Sequence, residues 1–157
     1  MNNILNKESE YDTVVVTGFS AITPLGESVD EFWANLCNGV SGIGPITLCD
    51  ASPFPCRIAG EVSNFDPSTY MDPKDAKRMA RFSQLAVAAA REAIAHSELD
   101  IGSYPNPNRI GVVMGNGNGG FPTTEENARL LVSRGGMKVS PFFIPMILPN
   151  MAAANVS

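Results

Sequence analysis

A glycine-rich turn after a short apolar run constrains the fold of this sequence more than any other feature. Ile110–Met114 is an apolar, largely β-branched run that predicts a strand buried on both faces. Four glycines follow within six residues, at Gly115, Gly117, Gly119 and Gly120. Because glycine accepts positive φ and lets other groups approach the backbone closely, they predict a tight turn that faces something. The turn would lie at the carboxyl end of the strand, where α/β folds place ligands.

A helix is predicted directly after this turn. Thr123–Glu126 has the Thr-Thr-Glu-Glu pattern of a capping box, so the helix would open there and continue to about Arg134. Gly135-Gly136 would end it. Strand, turn and helix would form one unit, and what the turn faces would decide the function.

The rest of the chain alternates strand and helix signals, which predicts an α/β class. Further strands are predicted at Thr13–Val16 and Arg57–Val62. Helices are predicted after the capping box Ser28–Glu31, after Asp72-Pro73, from Phe82 to about His96, and from Asn150. The alanine-rich face of the Phe82–His96 helix predicts close packing against another backbone. The first of these helices would present one apolar face, formed by Val29, Phe32, Trp33 and Leu36.

Length and composition predict one domain over residues 13–157, preceded by a polar leader over residues 1–12. The net charge of −5 argues against general nucleic-acid binding, which needs a basic face. The leader lacks the apolar core of a signal peptide, and Phe142–Met151 is interrupted by prolines and is too short to span a bilayer. We therefore expect a cytoplasmic protein without membrane contact. Since residues 150–157 show no C-cap signal, we also expect the chain to be a fragment that stops inside an element.

The sequence offers no set of metal ligands. Cys37, Cys49 and Cys56 are odd in number and lack a CxxC spacing, so reduced thiols are expected rather than a zinc or disulfide framework. The single histidine, His96, falls near the end of a predicted helix, where a structural role is more common than a catalytic one. Neither a metal nor a cofactor is predicted.

Taken in order, the motifs resemble the N-terminal part of β-ketoacyl-acyl-carrier-protein synthases, the elongating condensing enzymes of type II fatty acid synthesis. The matching segments are Val14–Gly18, Thr23–Gly26, Ser41–Ile43, Arg109–Gly111, Gly115–Gly120, Ser140–Pro145 and Asn150-Met151. No one segment is specific, but they occur in the order and at the spacing of the family. The resemblance covers the chain from about Thr13 to Ser157.

This resemblance implies a thiolase-like fold, αβαβα in layers, of which the chain would supply only the first part of the first half. It implies transfer of an acyl chain to a cysteine and condensation with decarboxylated malonyl carrier. That chemistry needs a thiolate at a helix N-terminus and two imidazoles that stabilise developing negative charge. In the family these groups, and the accompanying lysine, lie beyond the position of Ser157, so no catalytic residue is assigned here and the chain alone is expected to be inactive.

Non-catalytic roles are implied by position. Asn118 corresponds to the gating residue of the acyl pocket, where the elongating type usually carries an apolar side chain. Phe143 corresponds to a residue that reaches across a dimer to close the partner's pocket, and core packing is the alternative. Lys74, Lys77 and Arg78, the basic cluster, correspond to the surface that docks the acidic acyl carrier protein. A solvated helix face is the alternative for this cluster, although a local basic surface on an acidic protein favours an acidic partner.

Two other functions remain open from the sequence. Gly115, Gly117 and Gly120 fit the GxGxxG pattern of a nucleotide-binding module, but no acidic residue follows at the required distance after a second strand. Titration with NAD or FAD would test that function. The other possibility is a non-catalytic partner subunit or a truncated remnant that acts by association alone. In either case, apolar surface left uncovered would make the isolated chain poorly stable.

Overall fold

The computed structural model describes residues 13–157, whose regular structure consists of helices and one small sheet within much irregular chain. The helices are α1 (Val29–Cys37), α2 (Pro73–Ala76), α3 (Arg81–His96), α4 (Phe121–Arg134), α5 (Phe143–Ile147) and α6 (Met151–Val156). The strands are β1 (Ile43–Pro45) and β2 (Ile58–Gly60). Within this part of the chain, no helix is both long and apolar enough to cross a membrane.

The two strands pair antiparallel, with Ile43 opposite Gly60 and Pro45 opposite Ile58. The prediction of a strand within Arg57–Val62 is therefore confirmed for its central three residues. The pairing is short, and prolines and glycines flank it on both sides.

Helix α3 is the centre of the described fold. It packs along α6, and Ala88 on α3 and Ala152 on α6 are both buried. The small alanine side chains allow this close approach. Ala88, however, lies outside the alanine-rich face that the sequence predicts, and the alanines of that face are half-buried (Ala86, Ala89, Ala90 and Ala93). The segment around Gly18 packs closely on the same helix. A Cβ atom added at Gly18 would lie only 2.5 Å from the carbonyl oxygen of Ala93. A small core of Met71, Ala76 and Val87 adjoins this packing.

The predicted strands Thr13–Val16 and Ile110–Met114 are not formed. Among residues 13–157, neither segment pairs with another strand. Val14 is 94% exposed and Val113 is 101% exposed. A strand exists through hydrogen bonds to a neighbour, so an apolar β-branched run alone does not make one. Ile110–Met114 instead lines one side of an apolar cleft of about 650 Å³, together with α3 and the end of α6.

Helix α1 begins as predicted, since the Ser28 hydroxyl accepts a hydrogen bond from the backbone N–H of Glu31 at 3.2 Å. Its apolar face, however, is not buried within the described residues, and Trp33 is 62% exposed. Helix α4 begins two residues before the predicted capping box, at Phe121, with Gly120 as the N-cap. Pro122 explains the earlier start, because proline is favoured in a first helical turn, where its missing N–H costs nothing.

The chain exposes much more surface than a protein of its size normally does. Its accessible area is 12192 Å², whereas a folded monomer of this mass exposes about 7,600 Å². A twelve-residue leader cannot account for a difference of about 4,600 Å². The apolar side chains that would normally be covered are therefore open over wide areas of the described surface.

Candidate functional site

The glycine segment, Gly115–Gly120, packs against the end of α5 and the chain that links α5 to α6. The backbone N–H of Gly120 donates to the carbonyl oxygen of Ile147 at 3.3 Å. Gly119 has φ +65°, and a Cβ atom there would lie 2.6 Å from the same oxygen. A Cβ atom at Gly120 would lie 2.9 Å from the Cα atom of Ile147. The second half of the segment is therefore glycine because another backbone occupies the space of its side chains.

Asn116 makes a second connection between the same two regions. Its side-chain Nδ2 donates to the carbonyl oxygen of Pro149 at 3.0 Å, and its Oδ1 accepts from the backbone N–H of Gly119 at 3.3 Å. Sequence reasoning missed this residue. The available signal was an asparagine inside a turn, a residue type whose side chain commonly bonds to nearby backbone.

Asn118 and Phe143 lie on the two elements that this packing joins. Asn118 is exposed in the glycine segment, and Phe143 is the first residue of α5 and is half-buried. The structure thus brings together the backbone segments that carry both residues. Whether either side chain meets an acyl chain stays a prediction.

A buried asparagine positions the Ser-Pro-Phe-Phe segment that leads into α5. Asn127 on α4 is 6% exposed. Its Nδ2 donates to the carbonyl oxygen of Thr123 at 2.9 Å, and its Oδ1 accepts from the backbone N–H of Ser140 at 3.2 Å. The Ser140 hydroxyl accepts in turn from the N–H of Phe142 at 3.2 Å. No local sequence pattern marks Asn127, because its hydrogen bond to Ser140 spans 13 residues.

The basic cluster lies on α2 and the turn that follows it. Lys74, Lys77 and Arg78 are all exposed, and none forms an ion pair among the described residues. The Arg78 guanidinium carbon lies 5.1 Å from the centroid of the Phe142 ring, within the range of a cation–π contact. The cluster is therefore adjacent to the segment that precedes Phe143. Asp72 and Asp75 lie beside it in sequence and reduce its net charge.

The thiols and the histidine are not arranged as a catalytic group. Cys37, Cys49 and Cys56 are free and exposed. His96 ends α3 as predicted, and its Nδ1 lies 3.1 Å from the backbone nitrogen of Phe19, whose ring packs edge-on at 4.7 Å. Over residues 13–157, no three His, Cys, Asp or Glu side chains form a group that would hold a metal ion.

Tyr70 is the described titratable group with the largest pKa shift, and it packs at the edge of the core. Burial raises the pKa of Tyr70 to about 12, and the Glu92 carboxylate, which accepts a hydrogen bond from the Tyr70 hydroxyl at 2.9 Å, adds to the increase. Tyr70 also stacks on Phe65, with ring centroids 5.8 Å apart. It therefore ties the turn before α2 to α3.

The amino-acid sequence matches condensing enzymes over nearly its whole length. Residues 11–157 match the family described as Beta-ketoacyl synthase, N-terminal domain. The 3-oxoacyl-[acyl-carrier-protein] synthase 2 of Staphylococcus aureus (strain COL) is 44% identical over 149 residues, which are 95% of this chain and 36% of that protein. The protein of the same name from Synechocystis sp. is 45% identical over 144 residues, 92% of this chain and 34% of its own length. The chain thus spans about a third of the curated relatives that it matches.

Solved structures give the same fold. The ishigamide ketosynthase/chain length factor matches with a TM-score of 0.75 and 28% identity, over 90% of this chain and 35% of that one. A beta-ketoacyl synthase from Burkholderia phymatum matches with a TM-score of 0.74 and 27% identity, over 91% of this chain and 35% of that one. A type II polyketide ketosynthase in complex with its acyl-carrier protein has a TM-score of 0.74 at 24% identity, over 91% of this chain and 37% of that one. At this identity, the match shows the fold alone.

These matches confirm the expected thiolase-like α/β fold of the ketosynthases, although the described residues form only one two-stranded sheet of it. In the second half of the glycine segment, Gly119 and Gly120 lie against the chain's own backbone at Ile147. The chain belongs to the beta-ketoacyl synthase family, whose N-terminal domain it matches over residues 11–157.

Proposed function

We propose that this chain forms one wall of the acyl pocket and the carrier-docking face of a 3-oxoacyl-[acyl-carrier-protein] synthase. The complete enzyme would condense an acyl thioester with malonyl carrier in fatty acid or polyketide biosynthesis. The observation that carries the proposal is the packing of the glycine segment on the α5–α6 link, with Gly120 bonded to Ile147. It brings the segments of Asn118 and Phe143, the two acyl-pocket residues implied by the family, to one place.

The nucleophile of this reaction is assigned outside residues 1–157. A condensing cysteine needs a neighbouring positive charge or a helix N-terminus to form its thiolate. Cys37 is the last residue of α1 and therefore does not lie at a helix N-terminus, and Cys49 and Cys56 lie in exposed irregular chain. His96 is engaged with Phe19. We therefore expect the isolated chain to have no condensing activity.

The acidic acyl carrier protein is the proposed partner of the basic cluster. Three exposed cations without ion pairs among the described residues can steer an acidic partner even on a chain of net charge −5. The solved polyketide ketosynthase is itself a carrier-protein complex. A homodimer in the cytoplasm is part of the same proposal.

Lys77→Glu should slow association with the carrier protein and weaken the salt dependence of this association. Arg129→Glu, on an exposed face of α4, should change neither.

A chimera tests the proposed activity. Residues 13–157 would replace the matching segment of the Staphylococcus aureus synthase, and condensation would be measured with acyl carriers of different chain length. The proposal predicts an active chimera in which Asn118→Ile changes the preferred chain length. A folded but inactive chimera beside an active parent would contradict the proposal, and an unchanged preference after Asn118→Ile would contradict the gating role.

A non-catalytic partner subunit is the second candidate. It is supported by the match to a ketosynthase/chain length factor and by the polar Asn118 where the elongating family usually carries an apolar side chain. Reading the gene beyond the Ser157 codon separates the two. If the downstream sequence encodes a strand followed by a cysteine, the condensing enzyme is supported. If another residue follows that strand, the partner subunit is supported.

A further inference from the structure

We propose that Asn116 is a positioning residue that fixes the glycine segment relative to α5 and thereby contributes to acyl-length selectivity. The inference rests on the proposed function of Asn118. Both polar atoms of the Asn116 carboxamide form hydrogen bonds. Its amide group bonds to the carbonyl oxygen of Pro149, and its oxygen bonds to the N–H of Gly119.

The first half of the glycine segment has little else to hold it. A Cβ atom at Gly115 or Gly117 would have no neighbour within 4 Å, whereas the backbone at Gly119 and Gly120 is closely packed. Asn116 lies between the two unpacked glycines, and Asn118 follows directly after them. Since glycine loses more conformational freedom on ordering than any other residue, this stretch depends on side-chain hydrogen bonds for a defined position.

The chemistry of the contact requires a carboxamide. Pro149 offers a carbonyl oxygen, which needs a donor, and Gly119 offers an N–H, which needs an acceptor. Asparagine supplies both from one side chain. An aspartate of the same shape keeps the acceptor for Gly119 but loses the donor and places a negative charge against the Pro149 oxygen. Asn116→Asp therefore breaks one of the two bonds and leaves the other.

The consequence concerns Asn118, two residues further along the segment. With the Asn116 bridge in place, the backbone of Asn118 is held against the chain that leaves α5. Without it, the first half of the segment can move while Gly119 and Gly120 stay packed. We expect a looser segment to discriminate less between short and long acyl chains.

The experiment compares Asn116→Asp with Asn150→Asp in the chimera. Asn150 makes the matched control, because it is exposed beside Pro149 and caps α6 without a side-chain hydrogen bond. The readout is the ratio of kcat/KM for octanoyl and hexadecanoyl carriers. Asn116→Asp should move this ratio toward one by about fivefold, which is the effect of one ordinary hydrogen bond, and Asn150→Asp should change it less than twofold.

Two outcomes would overturn the proposal, and they are distinguishable from failure of the proposed function. An unchanged ratio in Asn116→Asp, in a chimera whose ratio does respond to Asn118→Ile, would show that the bridge does not position the gate. An equal shift in Asn150→Asp would show that any charge near Pro149 has the same effect. If Asn118→Ile leaves the ratio unchanged as well, the gating role itself is refuted and the proposal with it.

Discussion

Replacing Gly119 with alanine is expected to separate the glycine segment from α5. The residue has φ +65°, where an L side chain costs about 1–2 kcal/mol. The new Cβ atom would also lie 2.6 Å from the carbonyl oxygen of Ile147, a backbone atom that cannot rotate away. Overpacking of this kind costs about 1–3 kcal/mol. The two effects together weaken the contact by about 2–5 kcal/mol.

Hydrogen exchange in the chimera, read by mass spectrometry on the peptide covering residues 143–149, measures this change locally. A loss of about 2 kcal/mol accelerates exchange through local opening about thirtyfold, and a larger loss accelerates it more. Gly117→Ala is the matched control, since its Cβ atom would meet no atom within 4 Å and its φ lies outside the left-handed region. Unchanged exchange in Gly119→Ala, or equal acceleration in Gly117→Ala, would refute the argument.

Three further predictions concern the described core and surface. Asn127→Ala should destabilise the chimera by about 1–3 kcal/mol in urea, because the N–H of Ser140 loses its partner, and a change below about 0.5 kcal/mol would contradict this. The pKa of Tyr70 is raised from 10.0 to about 12, so its contribution to stability is complete below pH 10 and is lost as the pH rises through 12. Between pH 9 and 12 the melting temperature should therefore fall further in the unsubstituted chimera than in Tyr70→Phe. Parallel curves of melting temperature against pH would refute the stabilising contribution of the neutral Tyr70 hydroxyl. The isolated chain should bind a hydrophobic dye and unfold without a sharp thermal transition, and a cooperative transition in a soluble monomer would contradict the extent of its exposed apolar surface.

Local patterns predicted the helices well. The Ser28 cap of α1, the first turn of α2 at Asp72-Pro73, and the length of α3 all depend on residues within a few positions of one another. The many alanines of α3 also predicted close packing against another backbone, and that backbone is α6. These signals are intrinsic to a segment, so they can be read without knowledge of the rest of the fold.

Two strand predictions were wrong, and two positioning asparagines were missed, where the structure depends on distant partners. Thr13–Val16 and Ile110–Met114 have strand-like composition, but no neighbouring strand among the described residues completes them. Likewise, Asn127 and Asn116 act through Ser140 and Pro149, which lie 13 and 33 residues away in sequence. A side chain that bonds to a distant backbone carbonyl or N–H leaves no periodic pattern.

We propose that this chain contributes pocket and docking surface to a condensing enzyme whose nucleophile lies elsewhere. Peptide mapping by mass spectrometry, after incubation of the chimera with an acyl carrier thioester, tests it most directly. We expect one acyl group per chain, on a cysteine outside residues 13–157. Stoichiometric acylation of Cys37, Cys49 or Cys56, abolished when the protein is unfolded in urea, would contradict it.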